Sequence, residues 1–403
     1  MKPFTIPKQP VLSVEAGAIR RLPDAIARWG YRSVAMVTGG RSVRSRDIWA
    51  TITDGLLDEG IDFLDFTVRG EPSPDLVDRC RDEVVRELPR CEAVVAIGGG
   101  SVIDASKALA ALLGMERESS SGSDATRDGT SLSIADYLEG VGTRTPSGAT
   151  LPCIAVPTTA GTGSEATKNA VLSSIGPEGY KKSLRHDNFV PVRAILDAEL
   201  HTGAPDEVTR ASGLDAITQL IEVYLSRNAN PVTDALALTG IQHAGRAFPA
   251  LLDGEDSVEL RAEMALAAYL SGVGLAAAGL GVVHGIASPV GALREIPHGV
   301  FCGLTLAPSI EQTVEVGRDG SDDARSRYAL VAAAIGLSDV DHPAGAVEQL
   351  VETLRIWADP LPRLGAYGFT PDELLRIARE SGVKNHPVSL SAEDIHAILE
   401  AVR

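Results

Sequence analysis

Side chains able to hold a cation are gathered in two stretches of the C-terminal half. Residues 213–226 place apolar residues at helical spacing, and on such a helix Asp215 and Gln219 lie one turn apart on a shared face. Residues 281–299 put His284 and Ser288 one turn apart and then pass through Pro297 to His298. An oxygen ligand and two imidazoles arriving from separate segments can close around one divalent cation. A lone histidine in an apolar run is ordinarily a satisfied core residue, but Asp215, His284 and His298 together point to chemistry.

Upstream, the residues fit phosphate. Gly98-Gly99-Gly100-Ser101 follows the apolar run 93–97 and precedes a helical pattern over 102–113. Such glycines let the backbone approach a pyrophosphate, and the helix start offers free N–H groups and a favourable dipole. The loop 157–165 alternates hydroxyls with glycines after another strand pattern, with Thr158, Thr159 and Thr162 as donors to phosphate or ribose. Lys181, Lys182 and Arg185 form a small basic group, and Lys182 is the one assigned here to the cofactor. The turn after the first strand pattern, Thr38-Gly39-Gly40-Arg41-Ser42, lacks an acid for a ribose hydroxyl. Gly39 and Ser42 are expected at the nucleotide, and Arg41 with Ser42 favours NADP over NAD.

These groups need a scaffold. Strand patterns at 33–38, 63–67, 93–97, 151–156 and 194–196 alternate with helical ones near 48–59 and 74–87, which indicates βαβ units and a parallel sheet. Residues 116–131 read as a surface excursion without apolar periodicity. After about residue 200 the chain becomes Ala- and Leu-rich at helical spacing to its end. The division expected is an α/β dinucleotide-binding domain over 1–200 and an all-α metal- and substrate-binding domain over 201–403. At 403 residues the chain is long enough for two cores. A net charge of -17 argues against nucleic acid or an anionic membrane as partner. The four cysteines, Cys80, Cys91, Cys153 and Cys302, show no paired spacing and read as reduced, buried small hydrophobes. Without a signal-peptide core or membrane-span pattern, a cytoplasmic protein is expected.

The glycine turn 98–101, the loop 157–165 and the Asp215/His284/His298 constellation, with the late segment 382–388, resemble the iron-dependent (group III) alcohol dehydrogenase family along nearly the whole chain. The resemblance implies an α/β dinucleotide-binding domain followed by a helical domain, the fold shared with dehydroquinate synthase. It also implies hydride transfer between NAD or NADP and a small alcohol or aldehyde, assisted by a divalent metal, iron or zinc. Gly98, Gly99, Gly100 and Ser101 would hold the pyrophosphate, and Asp104 would sit toward the nicotinamide. Thr158, Thr159 and Thr162 would line the cleft. Asp215, His284 and His298 would be the catalytic groups, and Asp215, Gln219, His284 and His298 the metal ligands. Relatives of this family are commonly homodimers or larger.

The chain departs from the family pattern at Gln219, where a histidine ligand is expected, and at Ser288, where a second histidine follows the first. A neutral amide oxygen donates weakly, so metal affinity should fall. Three readings stay open. In the first, Asp215, His284 and His298 hold the metal with Gln219 or water completing the shell; in the second, Gln219 bonds substrate or a ligated water with the metal weak or absent, giving a metal-independent reductase; in the third, the site is degenerate and the protein is no longer a dehydrogenase. A sugar-phosphate cyclase of the same fold and a non-catalytic cofactor-binding protein are the competing classes. The small apolar residues of 275–281 and 285–293 suggest a modest pocket; Arg294 could recognise an anion, though an exposed helix-end arginine is the more common case, and short-chain alcohols or aldehydes, hydroxy acids and oxo acids all stay open as substrates.

Overall fold

The computed structural model describes residues 3–40, 43–121, 132–317, 322–337 and 343–403. Its first half is built on strands β1 (Val11–Val14), β2 (Ser33–Gly39), β3 (Asp62–Val68), β4 (Ala93–Gly98), β5 (Cys153–Pro157), β6 (Asn169–Ser174), β7 (Tyr180–Arg185) and β8 (Arg193–Leu196). Among these are helices α1 (Leu22–Arg28), α2 (Asp47–Asp58), α3 (Pro74–Glu87) and α4 (Gly100–Ser121). Six strands form a parallel sheet in the order β1-β8-β5-β4-β2-β3.

Period-two alternation sorts the central strands between two cores. Ala35, Val37, Val94, Ala96 and Ala155 enter the cluster beneath α3 and α4, while Val34, Met36, Val95, Ile97 and Ile154 enter the one on the opposite face. From β2 the chain passes to β3 on one side and then to β4 on the other. Strand order reverses there, so a crevice opens at the carboxyl ends of β2 and β4, where open α/β sheets bind ligands.

The strand expectations correspond to β2, β3, β4, β5 and β8 within two residues. Short β1 and the antiparallel pair β6–β7 went unread, because neither has a clean alternating or continuous apolar pattern. Residues 116–121 continue α4 rather than leaving the fold, since nothing in that polar run breaks a helix; the rest of the expected excursion lies outside the described residues.

From residue 206 on, the described secondary structure is helical: α5 (Asp206–Leu225), α6 (Pro231–Leu252), α7 (Val258–Ala278), α8 (Val282–Leu293), α9 (His298–Val316), α10 (Asp322–Ala334), α11 (Pro343–Ala358), α12 (Pro371–Glu380) and α13 (Ala392–Glu400). α5 is the hub, packed by α6, α7 and α9, and it is buried continuously from Gly213 to Leu225. Its apolar faces supply the packing, at about 1.5–3 kcal/mol for each fully buried Leu or Ile. Its buried polar residues Asp215, Gln219 and Glu222 therefore require specific partners.

Candidate metal and cofactor site

The turn between β4 and α4 meets the Thr-rich loop at very short range. A Cβ on Gly99 would stand 2.9 Å from Thr159 Oγ1, and one on Gly100 would stand 2.6 Å from the same atom of Thr162. Only glycine permits that approach. The 22-residue helix α4 then directs its free N–H groups at the crevice. Asp104, one turn into α4, accepts from the hydroxyl of Ser164 and the N–H of Val171 and pairs with Lys107 at 3.0 Å. Fully buried Lys107 also bonds Ser164 O, Thr167 Oγ1 and Asn169 O, fixing the loop to β6. Thr158 donates its N–H to Gly98 O, which ties β5 to β4 at the turn.

A cavity of about 680 Å³ runs from this turn to the helical half. Gly100, Ser101, Asp104 and Thr162 line it from the sheet half, and Gln219, His284, Ser288 and His298 from the helical half, with Leu275, Leu280, Ala287 and Ile296 as apolar wall. Thr158 and Thr159 lie behind the loop, lining a separate small void. Gly39 closes β2 near the same crevice; Ser42 and Arg41 lie outside the described residues.

Strand alternation decides which lysine faces inward. On β7, Lys181, Ser183 and Arg185 line the cavity, whereas Lys182 is exposed and does not. Lys181, rather than the Lys182 expected above, faces the cavity, and it pairs with Glu71 at 3.0 Å. Arg294 also leaves the cavity, bonding Glu373 at 2.7 Å on α12. The Ser288 hydroxyl donates to Lys181 O at 2.9 Å, pinning α8 to the hairpin.

At the helical end Asp215, His284 and His298 converge. Asp215 Oδ1 lies 3.4 Å from His284 Nε2 and 3.6 Å from His298 Nε2, and it is buried without a hydrogen-bond partner. A fourth group that sequence reasoning assigned to the core joins them: Cys302 Sγ is 3.8 Å from His284 Nε2 and 3.7 Å from His298 Nε2. One potential ligand atom from each of these four residues lies within 4.8 Å of all the others. The overlooked signal was the spacing His298-x-x-x-Cys302, which puts imidazole and thiol on one face of α9.

Gln219 is engaged elsewhere. Its Nε2 donates to Thr162 O at 3.1 Å, and its Oε1 faces the Ser271 hydroxyl at 3.4 Å. The amide thus clamps the Thr-rich loop to α5 and α7.

Glu222, two turns beyond Asp215 on α5, bonds His284 Nδ1 at 2.7 Å and accepts from Val283 N at 2.7 Å. It satisfies a first-turn donor of α8 and leaves Nε2 of His284 facing the cluster. The four groups shift one another toward their charged forms. Burial raises the Asp215 carboxyl, but His298 and His284 outweigh it and bring its pKa below the ordinary value. The Cys302 thiol is likewise lowered, burial being outweighed by His298 and His284. Burial lowers both imidazoles, yet Cys302 and Asp215 raise His298, and Cys302, Asp215 and Glu222 lift His284 well above the usual range. Protonated imidazoles or a dication between the four groups would balance the buried Asp215 charge. A buried carboxylate with neither would cost several kcal/mol.

The sequence profile described as "Iron-containing alcohol dehydrogenase" matches residues 10–198, and that of the "Fe-containing alcohol dehydrogenase family, C-terminal" matches residues 209–403. The chain belongs to the iron-containing alcohol dehydrogenase family. As a member it is an oxidoreductase of the alcohol dehydrogenase class. It is 32% identical to Long-chain-alcohol dehydrogenase 1 of Geobacillus thermodenitrificans, over 97% of this chain and 95% of that one. Among solved structures, it is similar to sulfoacetaldehyde reductase of Bifidobacterium kashiwanohense in complex with NAD+. That match has 28% identity and a TM-score of 0.81 and covers 100% of this chain and 99% of the other. A 1,3-propanediol oxidoreductase is similar at 25% identity and a TM-score of 0.82, covering 100% of both chains.

Proposed function

We propose that the chain transfers hydride between a nicotinamide dinucleotide, NAD or NADP, and a small alcohol or aldehyde, with a divalent metal held by Asp215, His284 and His298. The observation that carries this reading is the buried, unpartnered Asp215 Oδ1 facing two imidazoles whose side chains line the same cavity as the glycine turn. The donor set suits an ion of the iron or zinc class.

When bound, the nicotinamide supplies the hydride, and the metal supplies Lewis-acid stabilisation of the negative oxygen that develops, worth several kcal/mol. The residues of the chain do the rest. Gly98, Gly99, Gly100 and Ser101 give the pyrophosphate a close backbone approach at the N-terminus of α4. Thr162 and Asp104 border the path along which the cofactor extends, and Lys181 and Arg185 are the lysine and arginine among the lining residues. Leu275, Leu280, Ala287 and Ile296 exclude water around a small apolar substrate. Glu222 holds His284 in the tautomer that leaves Nε2 free for the ion. The Ser288 hydroxyl is committed to Lys181 O, which leaves water or a cofactor hydroxyl to carry the alkoxide proton.

No single helix among the described residues is long and apolar enough to cross a membrane. Four free, buried cysteines support a reducing, cytoplasmic setting. The open edge of β1, with Val11 58% and Val14 51% exposed, supports assembly into a homodimer or larger oligomer.

The test is elemental analysis alongside a panel of aldehydes with NADH and NADPH. Wild-type protein should carry metal and oxidise cofactor with at least one small aldehyde, and Asp215→Asn should lower kcat/KM by about 10²-fold or more. Metal-loaded protein that turns over none of the panel would refute the reading.

A further inference from the structure

Cys302 faces the cluster from α9, one turn after His298. We propose that Cys302, as a thiolate, is the fourth protein ligand of the metal in place of the Gln219 amide, and that it makes the centre a zinc-class rather than an iron(II) site. The inference rests on the metal-assisted reading above and deepens it.

Three observations carry it. The first is spacing. A tetrahedral ion with N and O ligands at about 2.0–2.2 Å and sulfur at about 2.3 Å separates its ligand atoms by about 3.3–3.7 Å. Four of the six separations are 3.4, 3.6, 3.7 and 3.8 Å, close to that range, and all six fall within 4.8 Å. The second is the engagement of Gln219, whose amide joins Thr162 O to the Ser271 hydroxyl. The third is the setting of the sulfur: Cys302 is fully buried, and the polar atoms around it are the Nε2 atoms of His284 and His298 with the Asp215 carboxylate.

Ligand chemistry then selects the ion. A thiolate beside two imidazoles and one carboxylate suits zinc, while iron(II) gains less from soft sulfur and binds less tightly in the general order of divalent affinities. One carboxylate and one thiolate neutralise a dication, whereas a third imidazole in place of sulfur would leave a charge of +1. The helix α5 position that carries Gln219 is thereby released from ligation to hold the cofactor loop.

Cobalt(II) is the probe. The full-length protein is stripped with a chelator, reloaded with Co²⁺ and examined by absorption spectroscopy, then titrated with Zn²⁺ and, anaerobically, Fe²⁺. Wild type should bind one Co²⁺ and show an intense near-ultraviolet thiolate-to-cobalt charge-transfer band. The band should vanish in Cys302→Ser and persist in Gln219→Ala, and zinc affinity should fall by about tenfold or more in Cys302→Ser. The wild-type spectrum decides the matter even if a variant fails to fold. Stoichiometric cobalt without the band, together with aldehyde turnover, would overturn thiolate ligation while leaving the metal-assisted function standing. Failure of wild type to bind cobalt, zinc or iron would sink both.

Discussion

Glu222 shows how much a site depends on a residue that does not itself face the reactants. Its carboxylate joins the first turn of α8 to Nδ1 of His284, so one side chain sets the position of a helix and the tautomer of an imidazole. Partners of this kind typically change metal affinity 10–100-fold when altered. Glu222→Gln should therefore weaken zinc binding by about that factor in a competitive chelator titration, with the fold retained by circular dichroism. Unchanged affinity would reduce Glu222 to a helix cap. Its relation to Asp215 was readable as helical spacing on α5. Its contact with His284 was not, because nothing local relates the two helices.

At the scale of elements, the crevice is made where β4 turns into α4 against the loop after β5. Gly100 is the tightest approach, with the Thr162 side chain where its Cβ would be. Gly100→Ala should push the loop and the helix start apart and raise the dissociation constant for NADH or NADPH by about tenfold, roughly 1.4 kcal/mol. Fluorescence titration reads this, and the metal content of the same samples should hold. A cofactor affinity equal to wild type would mean that the turn does not approach the pyrophosphate. The glycine triplet was legible because close backbone approach has a local sequence cost. The β6–β7 hairpin, which brings Lys181 to the cavity and receives Ser288, was not legible, and neither was the inward choice of Lys181 over Lys182.

Across the whole molecule, burial couples stability to pH. His201 bonds Pro157 O at 3.0 Å and is fully buried, which lowers its pKa to about 4; burial likewise brings His386, bonded to Thr313, to about 4. Both are neutral in the folded chain and protonate near 6.5 when unfolded, so the unfolded state binds more protons between those values. Stability should fall as pH drops from about 6.5 to 4, by up to about 3 kcal/mol per histidine. Glu165 acts in the opposite sense: burial raises it to about 7, so its contribution is full below about 4.5 and lost as pH rises to 7. Urea denaturation at a series of pH values should show a shallower acid loss for His201→Gln than for wild type. Equal slopes would mean that His201 is not held neutral by the fold.

The sequence by itself determined the alternation of strands and helices, the glycine turn, the hydroxyl-rich loop and the family resemblance. Each of these is written in the local backbone needs or periodicity of neighbouring residues. It also named Asp215, His284 and His298, but it set Gln219 beside them by helical spacing and left Cys302 in the core. The contacts of those two come from tertiary packing. Whether a polar side chain faces a ligand or a neighbouring carbonyl depends on what α7, α9 and the loop after β5 present to it. Those elements meet α5 from distant parts of the chain, and their approach is set by packing that no local pattern encodes.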